Sequence, residues 1–321
     1  MLLLVTSCYR EMVLELPGSQ EGLLINAQLS TAEQSHSVFV ASASSSRVLP
    51  LHSVDVSCSV NGAERIMAED MFVGGRLQAE YRFNASFEPG DRIVIDVKDA
   101  EGRTAGAEVT VPDLSGEIVS IDTSSVGGNV YFSIKLRNNR EGRHYYMLTL
   151  DKYYRARLED FNPYEGSTFT FVSEGVRKCM RLKHDGDPVL SGGYIGDAGE
   201  NDVIGTGIEN VNCVFSNARF IDDIATVKVY VDSTFLYGDE IVDYYISGVK
   251  DNSAVISLHS ISKQEYDYLW ALNSFQVSGF HLSDMMEPVS IPMNVSGGYG
   301  FVSVSSCNSI RIGLKRQFLK R

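Results

Sequence analysis

The sequence predicts a mainly β protein of two β-sandwich-like domains, the first immunoglobulin-like and the second carrying one short helix near residues 262–274. Three observations lead there. Apolar and polar residues alternate in short runs, the period of a strand with one buried face. Turn residues punctuate those runs at short intervals, as in a sandwich or barrel. At 321 residues the chain exceeds one typical domain and is long enough for two cores.

The first element in chain order stands apart from both domains. Met1-Leu2-Leu3-Leu4 runs into Val5-Thr6-Ser7-Cys8, an apolar run ending in a small residue and a cysteine. A bacterial lipoprotein signal ends in this way: the peptidase cuts before the cysteine, which then carries acyl chains. Residues 1–7 are therefore expected as signal, Cys8 as the lipid anchor, and residues 8–20 as anchor and linker. The run is shorter than the roughly 20 apolar residues that span a bilayer. It also lacks the basic residues that open a secretory signal, so the true start is expected upstream. The alternative is an ordinary first strand of a soluble domain.

The N-terminal sandwich is expected over residues 21–113. Leu77, Ala79, Tyr81 and Phe83 share one face, the turn Glu88-Pro89-Gly90-Asp91 follows, and Ile93, Ile95 and Val97 share the next face before a second turn at Asp99 to Gly102. This is a meander of antiparallel strands. In Val54 to Val60 the alternation places Cys58 with the valines, which reads as a small, inert core thiol. Val111-Pro112 closes the domain, because proline removes a ladder donor, and Asp113 to Gly116 is the expected boundary.

The C-terminal β domain is expected over residues 116–321. Val130, Phe132, Ile134 and Leu136 alternate, then Tyr146, Leu148 and Leu150, and later Val227, Val229 and Val231. Between them, His184 to Gly207 is rich in Gly and Asp and reads as a long surface loop. Its acidic residues do not fit an EF-hand: Asp185-Gly186-Asp187 lacks the required third ligand and glycine, and Asp197, Glu200 and Asp202 match no loop pattern. Ser262-Lys263-Gln264-Glu265 is a capping box opening a helix to about Ser274, in which the Ser hydroxyl and the Glu carboxylate both satisfy backbone donors. Tyr266, Leu269, Trp270 and Asn273 fall on one helical face, read as packing onto a sheet in preference to a ligand-stacking platform.

The net charge of −13 argues against nucleic acid, whose affinity rests on basic patches. No zinc or redox spacing joins the cysteines; Cys179 and Cys213 could pair in an oxidising compartment, but spacing does not fix connectivity. No nucleophile elbow, metalloprotease pair, P-loop or dinucleotide fingerprint occurs, and the histidines lack ligand spacing. Glu159-Asp160 and Asp222-Asp223 are sequence neighbours, which strands point to opposite faces. Neither catalytic residues, metal nor cofactor is expected. The binding candidates are Tyr153, Tyr154, Phe161 and Tyr164, an aromatic group near the Asn162-Pro163 turn.

Ser262 to Trp270 with its E-Y-x-Y-L-W core, Glu287-Pro288-Val289, and Asn294 followed by Gly297-Gly298-Tyr299-Gly300-Phe301 resemble the domain-of-unknown-function family 4249. Leu24-Ile25-Asn26-Ala27, Glu88-Pro89-Gly90-Asp91 and Val214-Phe215-Ser216-Asn217 agree with it. The resemblance implies a lipid-anchored outer-membrane protein, an accessory of a TonB-dependent receptor in nutrient binding or uptake at the cell surface. The implied partners are that receptor, the membrane through lipid on Cys8, and a small-molecule, glycan or peptide cargo. No catalytic residues come with the family. The rival from another class is a fimbrial or adhesin-type structural subunit. The glycines also have a structural account, in positive φ or close backbone approach.

Overall fold

The computed structural model describes residues 21–44, 47–52, 54–69, 78–162, 167–172, 176–191, 210–237, 246–276 and 291–314. The chain is mainly β, as its alternation predicts. In order, the strands are β1 (Gly22–Ser30), β2 (Ser35–Ala43), β3 (Val48–Pro50), β4 (Asp55–Val60), β5 (Ala63–Arg65), β6 (Ala68–Glu69), β7 (Ala79–Asn84), β8 (Arg92–Lys98) and β9 (Thr104–Thr110). Then come β10 (Gly116–Val126), β11 (Asn129–Asn138), β12 (Tyr145–Asn162), β13 (Ser167–Val172), β14 (Val176–Met180), β15 (Val214–Ser216) and β16 (Ile224–Asp232). Helix α1 (Ser233–Tyr237), β17 (Ile246–Ile261), helix α2 (Lys263–Gln276) and β18 (Val302–Gly313) complete the order.

Two cores form where apolar faces meet. In the first, Leu23, Ile25, Val38, Val40, Tyr81 and Phe83 pack against Ile93, Ile95, Val97 and Ala105, the inner faces of β1, β2 and β7 against those of β8 and β9. Cys58 is buried among them as a free thiol, and burial pushes it up to about 11. The predicted turns are present, with Gly90 and Gly102 at positive φ, and β9 ends before Pro112. Leu77 lies outside the described residues. In the second core, Val130, Phe132, Ile134, Leu136, Val227 and Val229 from the three-stranded sheet β10-β11-β16 pack against Tyr146, Leu148, Leu150, Ile256 and Leu258.

The two cores share one sheet. An 11-stranded sheet runs β13-β12-β17-β18-β1-β2-β7-β6, with β14 and β15 also pairing with β12 and β3 with β2, so it supplies one layer to each sandwich. Strand β18 is the seam. Its first residues pair in parallel with β1, Ala27 opposite Val302 and Ser30 opposite Ser305; its later ones pair antiparallel with β17, Ser260 opposite Ser306 through to Ser253 opposite Gly313. Val295, Val302 and Val304 therefore belong to the first core although they lie 184 or more positions beyond Val111, its last member in the N-terminal half.

The glycine motif brings this segment in. A Cβ on Gly300, at φ +108°, would meet the Ile25 carbonyl oxygen at 2.1 Å, and one on Gly298 would meet the Leu23 oxygen at 2.5 Å. Only glycine lets the backbone approach β1 so closely. The Tyr299 N–H then donates to Leu23 O at 2.7 Å and Ile25 N–H to Tyr299 O at 2.9 Å. Asn294 closes the loop, donating to Val302 O at 2.7 Å and accepting from its N–H at 2.9 Å.

Candidate functional site

Alternation puts Tyr146, Leu148 and Leu150 of β12 and Ala254, Ile256 and Leu258 of β17 into the second core, with Ile310 and Ile312 of β18 packed against it, and leaves the odd residues between them on the outer face of the large sheet. That outer face is polar. His259 on β17 lies between two hydroxyls, Thr149 Oγ1 at 3.1 Å from Nε2 and Ser305 Oγ at 3.0 Å from Nδ1. Burial holds this imidazole down to about 4, so it is neutral at physiological pH. Ser257 and Ser309 hydroxyls meet at 2.8 Å, and Cys307 Sγ lies 3.1 Å from Ser309 Oγ. Burial raises the Cys307 thiol, which makes it a weak nucleophile. Ser305 is buried, so its contact with His259 has no open approach for a substrate.

Beside this array the face opens into a charged cluster. Arg177 on β14 donates from Nη1 to Glu33 Oε1 and from Nη2 to Asp151 Oδ2, the latter at 2.9 Å. Burial disfavours the guanidinium charge, and the bonds to Asp151 and Glu33 outweigh it and hold Arg177 above its ordinary value. Asp151 is buried, and among the described residues its Oδ1 has no hydrogen-bond partner. The Arg311 guanidinium lies 4.9 Å above the Tyr153 ring and donates to Ser253 Oγ at 3.1 Å. Two cations, two carboxylates and a half-buried phenol ring thus share one region, with the Arg177 and Glu33 ends reaching solvent and Asp151 buried beneath them. Such a surface can stack on a ring and exchange hydrogen bonds with hydroxyl or amide groups.

Helix α2 covers the other end of the same face. Ser262 Oγ accepts from Glu265 N–H at 3.0 Å, the first half of the predicted capping box. The second half is corrected: the Glu265 carboxyl does not reach back to the helix start but turns inward to the Ser303 hydroxyl, fully buried. The buried line of the helix is accordingly Glu265, Leu269 and Asn273, while Tyr266 and Trp270 flank it half-exposed and stack at 6.2 Å. The cause lies at the C-terminal half. Asn273 Nδ2 donates to Asn210 Oδ1 at 3.0 Å, and Asn273 Oδ1 accepts from Asn212 Nδ2 at 2.9 Å, so polar bonds set the rotation of the helix.

Of the sequence candidates, Tyr153 lies in the charged cluster. Tyr154 and Phe161 fall on β12, paired with Val176 and Thr168. Tyr164 and Cys8 lie outside the described residues, as do Asp197, Glu200 and Asp202. Asp187 is structural: its Oδ1 accepts from Val189 N–H at 2.9 Å and its Oδ2 from Lys228 N–H at 2.8 Å, tying the loop to β16. Cys179 and Cys213 are both free, the first exposed and the second buried in the second core. Sequence reasoning passed over Asp151, Arg177, Glu33, Arg311 and His259. The alternation of Leu148 and Leu150 with Thr149 and Asp151 could have found Asp151; nothing local marks Glu33, which meets a partner 144 positions away.

A profile for the family described as "Domain of unknown function (DUF4249)" matches residues 9–311. No curated protein matches the chain. Among solved structures, a chimeric titin Z1Z2-Z1Z2 tandem is similar at 12% identity and a TM-score of 0.17, covering 76% of this chain and 92% of its own. A structure described as a "putative carbohydrate binding protein from Bacteroides uniformis" is similar at 10% identity and a TM-score of 0.20, covering 91% of this chain and 98% of its own. At those scores neither bears on fold or function.

Proposed function

The chain belongs to the DUF4249 family, and on that premise we propose that it is an outer-membrane lipoprotein, held at the cell surface by lipid on Cys8, that binds a ligand without chemical conversion and serves a TonB-dependent receptor in nutrient uptake. The observation that carries the binding role is the solvent-reaching part of the outer face, where the half-buried Tyr153 ring lies under Arg311 beside the Arg177–Glu33 ion pair. A ligand hydroxyl or amide arriving over Tyr153 meets the guanidinium donors and the Glu33 carboxylate there. The apolar run before Cys8 supports the anchor. Tethering raises the local concentration of the binding face around a receptor without any new contact.

Crosslinking and affinity purification of the tagged full-length protein from its native outer membrane, followed by mass spectrometry, tests the partner. Recovery of a TonB-dependent receptor is expected. Recovery of the chain alone, as multimers that survive a denaturing gel without boiling, would replace this reading with the fimbrial subunit, which assembles by strand addition. Cys8→Ser is expected to abolish metabolic labelling by fatty acid and to release the protein from the membrane fraction; retained labelling would sink the anchor.

A further inference from the structure

Helix α2 rests on the outer face over Val214, Ile261, Tyr145 and Met147, and its two halves are held by different chemistry. The C-terminal half is fixed by Asn273 with Asn210 and Asn212, groups that do not titrate. The N-terminal half has a carboxyl at its centre. Glu265 is 2% exposed, bonded to Ser303, and among the described residues its Oε2 has no partner. On the same helix, Tyr268 stacks flat on Phe301 at 4.1 Å.

We infer that α2 is a proton-controlled latch: the neutral acid of Glu265 lets the N-terminal half dock on the sheet, and ionisation of that one carboxyl loosens it and uncovers the apolar patch beneath.

The surroundings make Glu265 the switch. A carboxylate here would be a buried charge with a single serine bond, and among the described residues no charged group offsets it; burial accordingly holds its acid up at about 7. On the helix itself, Lys263 and Asp267 pair on the solvent side at 2.5 Å. Burial pushes the phenols of Tyr266 and Tyr268 above their ordinary value, away from neutrality. From β18 the group that faces Glu265 is Ser303, which does not titrate, and on β17 the nearby outer-face imidazole, His259, is already neutral above about pH 5. From β12, Tyr145 packs against Tyr266 at 4.9 Å.

Trp270 is the one tryptophan of the chain and sits on this helix, so its emission reports the latch directly. The full-length protein is titrated from about pH 5 to pH 9 while acrylamide quenching of Trp270 and amide exchange over α2 are followed. Quenching is expected to rise about twofold with a midpoint near 7, with exchange accelerating in residues 263–269 before 270–276. Glu265→Gln should abolish the transition and leave the helix docked throughout. Ser303→Ala, which removes the bond favouring the ionised form, should move the midpoint upward and serves if the Gln variant does not fold. A flat profile in the native protein, or an unchanged midpoint in either variant, would overturn the latch.

Discussion

The two faces of the large sheet are made by the same three strands and behave as different materials. Inward from β12, β17 and β18 stand Leu148, Leu150, Ile256 and Leu258, close-packed against the three-stranded sheet. Outward stand Thr149, Asp151, Ser257, His259, Ser305 and Cys307, held by hydrogen bonds. The inner face gains from removing apolar area from water and takes no account of pH. The outer face is specific where its polar groups are satisfied and costly where they are not. The proposed binding site and the inferred latch both lie on the outer face, backed by the packed inner one.

Substitutions one residue apart measure the contrast. Leu258→Ala on the inner face should cost about 3 kcal/mol in urea or thermal unfolding, through lost transfer energy and the cavity left behind. Its neighbour Ser257→Ala should cost about 1 kcal/mol, the worth of one hydrogen bond. Equal losses would erase the distinction between the faces.

The pH dependence of stability sharpens it further. Glu265 is raised from 4.5 to about 7 in the folded protein, so its contribution is complete below pH 4.5 and is lost as the pH rises through 7. The amount at stake is up to about 3 kcal/mol. His259 runs the other way: lowered from 6.5 to about 4, it contributes above pH 6.5 and its contribution is lost as the pH falls through 4. The two slopes oppose each other between 4.5 and 6.5, and the native protein should show little dependence there. Glu265→Gln should expose the His259 slope, with stability climbing as the pH rises through that window, and should leave the variant more stable than the native protein at pH 8. His259→Gln should expose the falling slope of Glu265.

Smaller effects are expected in the charged cluster. Arg177→Ala should cost about 2 kcal/mol by leaving Asp151 buried without its cation. Adding Asp151→Asn should recover part of that loss, since residues that share one ion pair are not additive. Tyr153→Ala should change stability by less than about 1 kcal/mol, because the ring is only half-buried. It should nonetheless weaken ligand retention on the native membrane; full retention would remove Tyr153 from the binding face.

The sequence by itself determined that the chain is mainly β, where the turns of the first half fall, that Cys58 sits in a core, and that a helix begins after Ser262. Each is a local property, set by side-chain period, turn chemistry or a cap within a few residues. It also determined that Thr149, Asp151 and Tyr153 share a face, because parity along a strand is local too. Only the tertiary structure decided what that face became. The Arg177 that holds Asp151, the Glu33 that meets Arg177 and the β18 strand that lines the face come from distant parts of the chain. The rotation of α2 that buries Glu265 and leaves Trp270 at the flank follows from Asn210 and Asn212, more than fifty positions before the helix. Partners brought together by sheet order and helix docking leave no period in the sequence; their meeting is fixed by how β18 seams the two cores into one sheet.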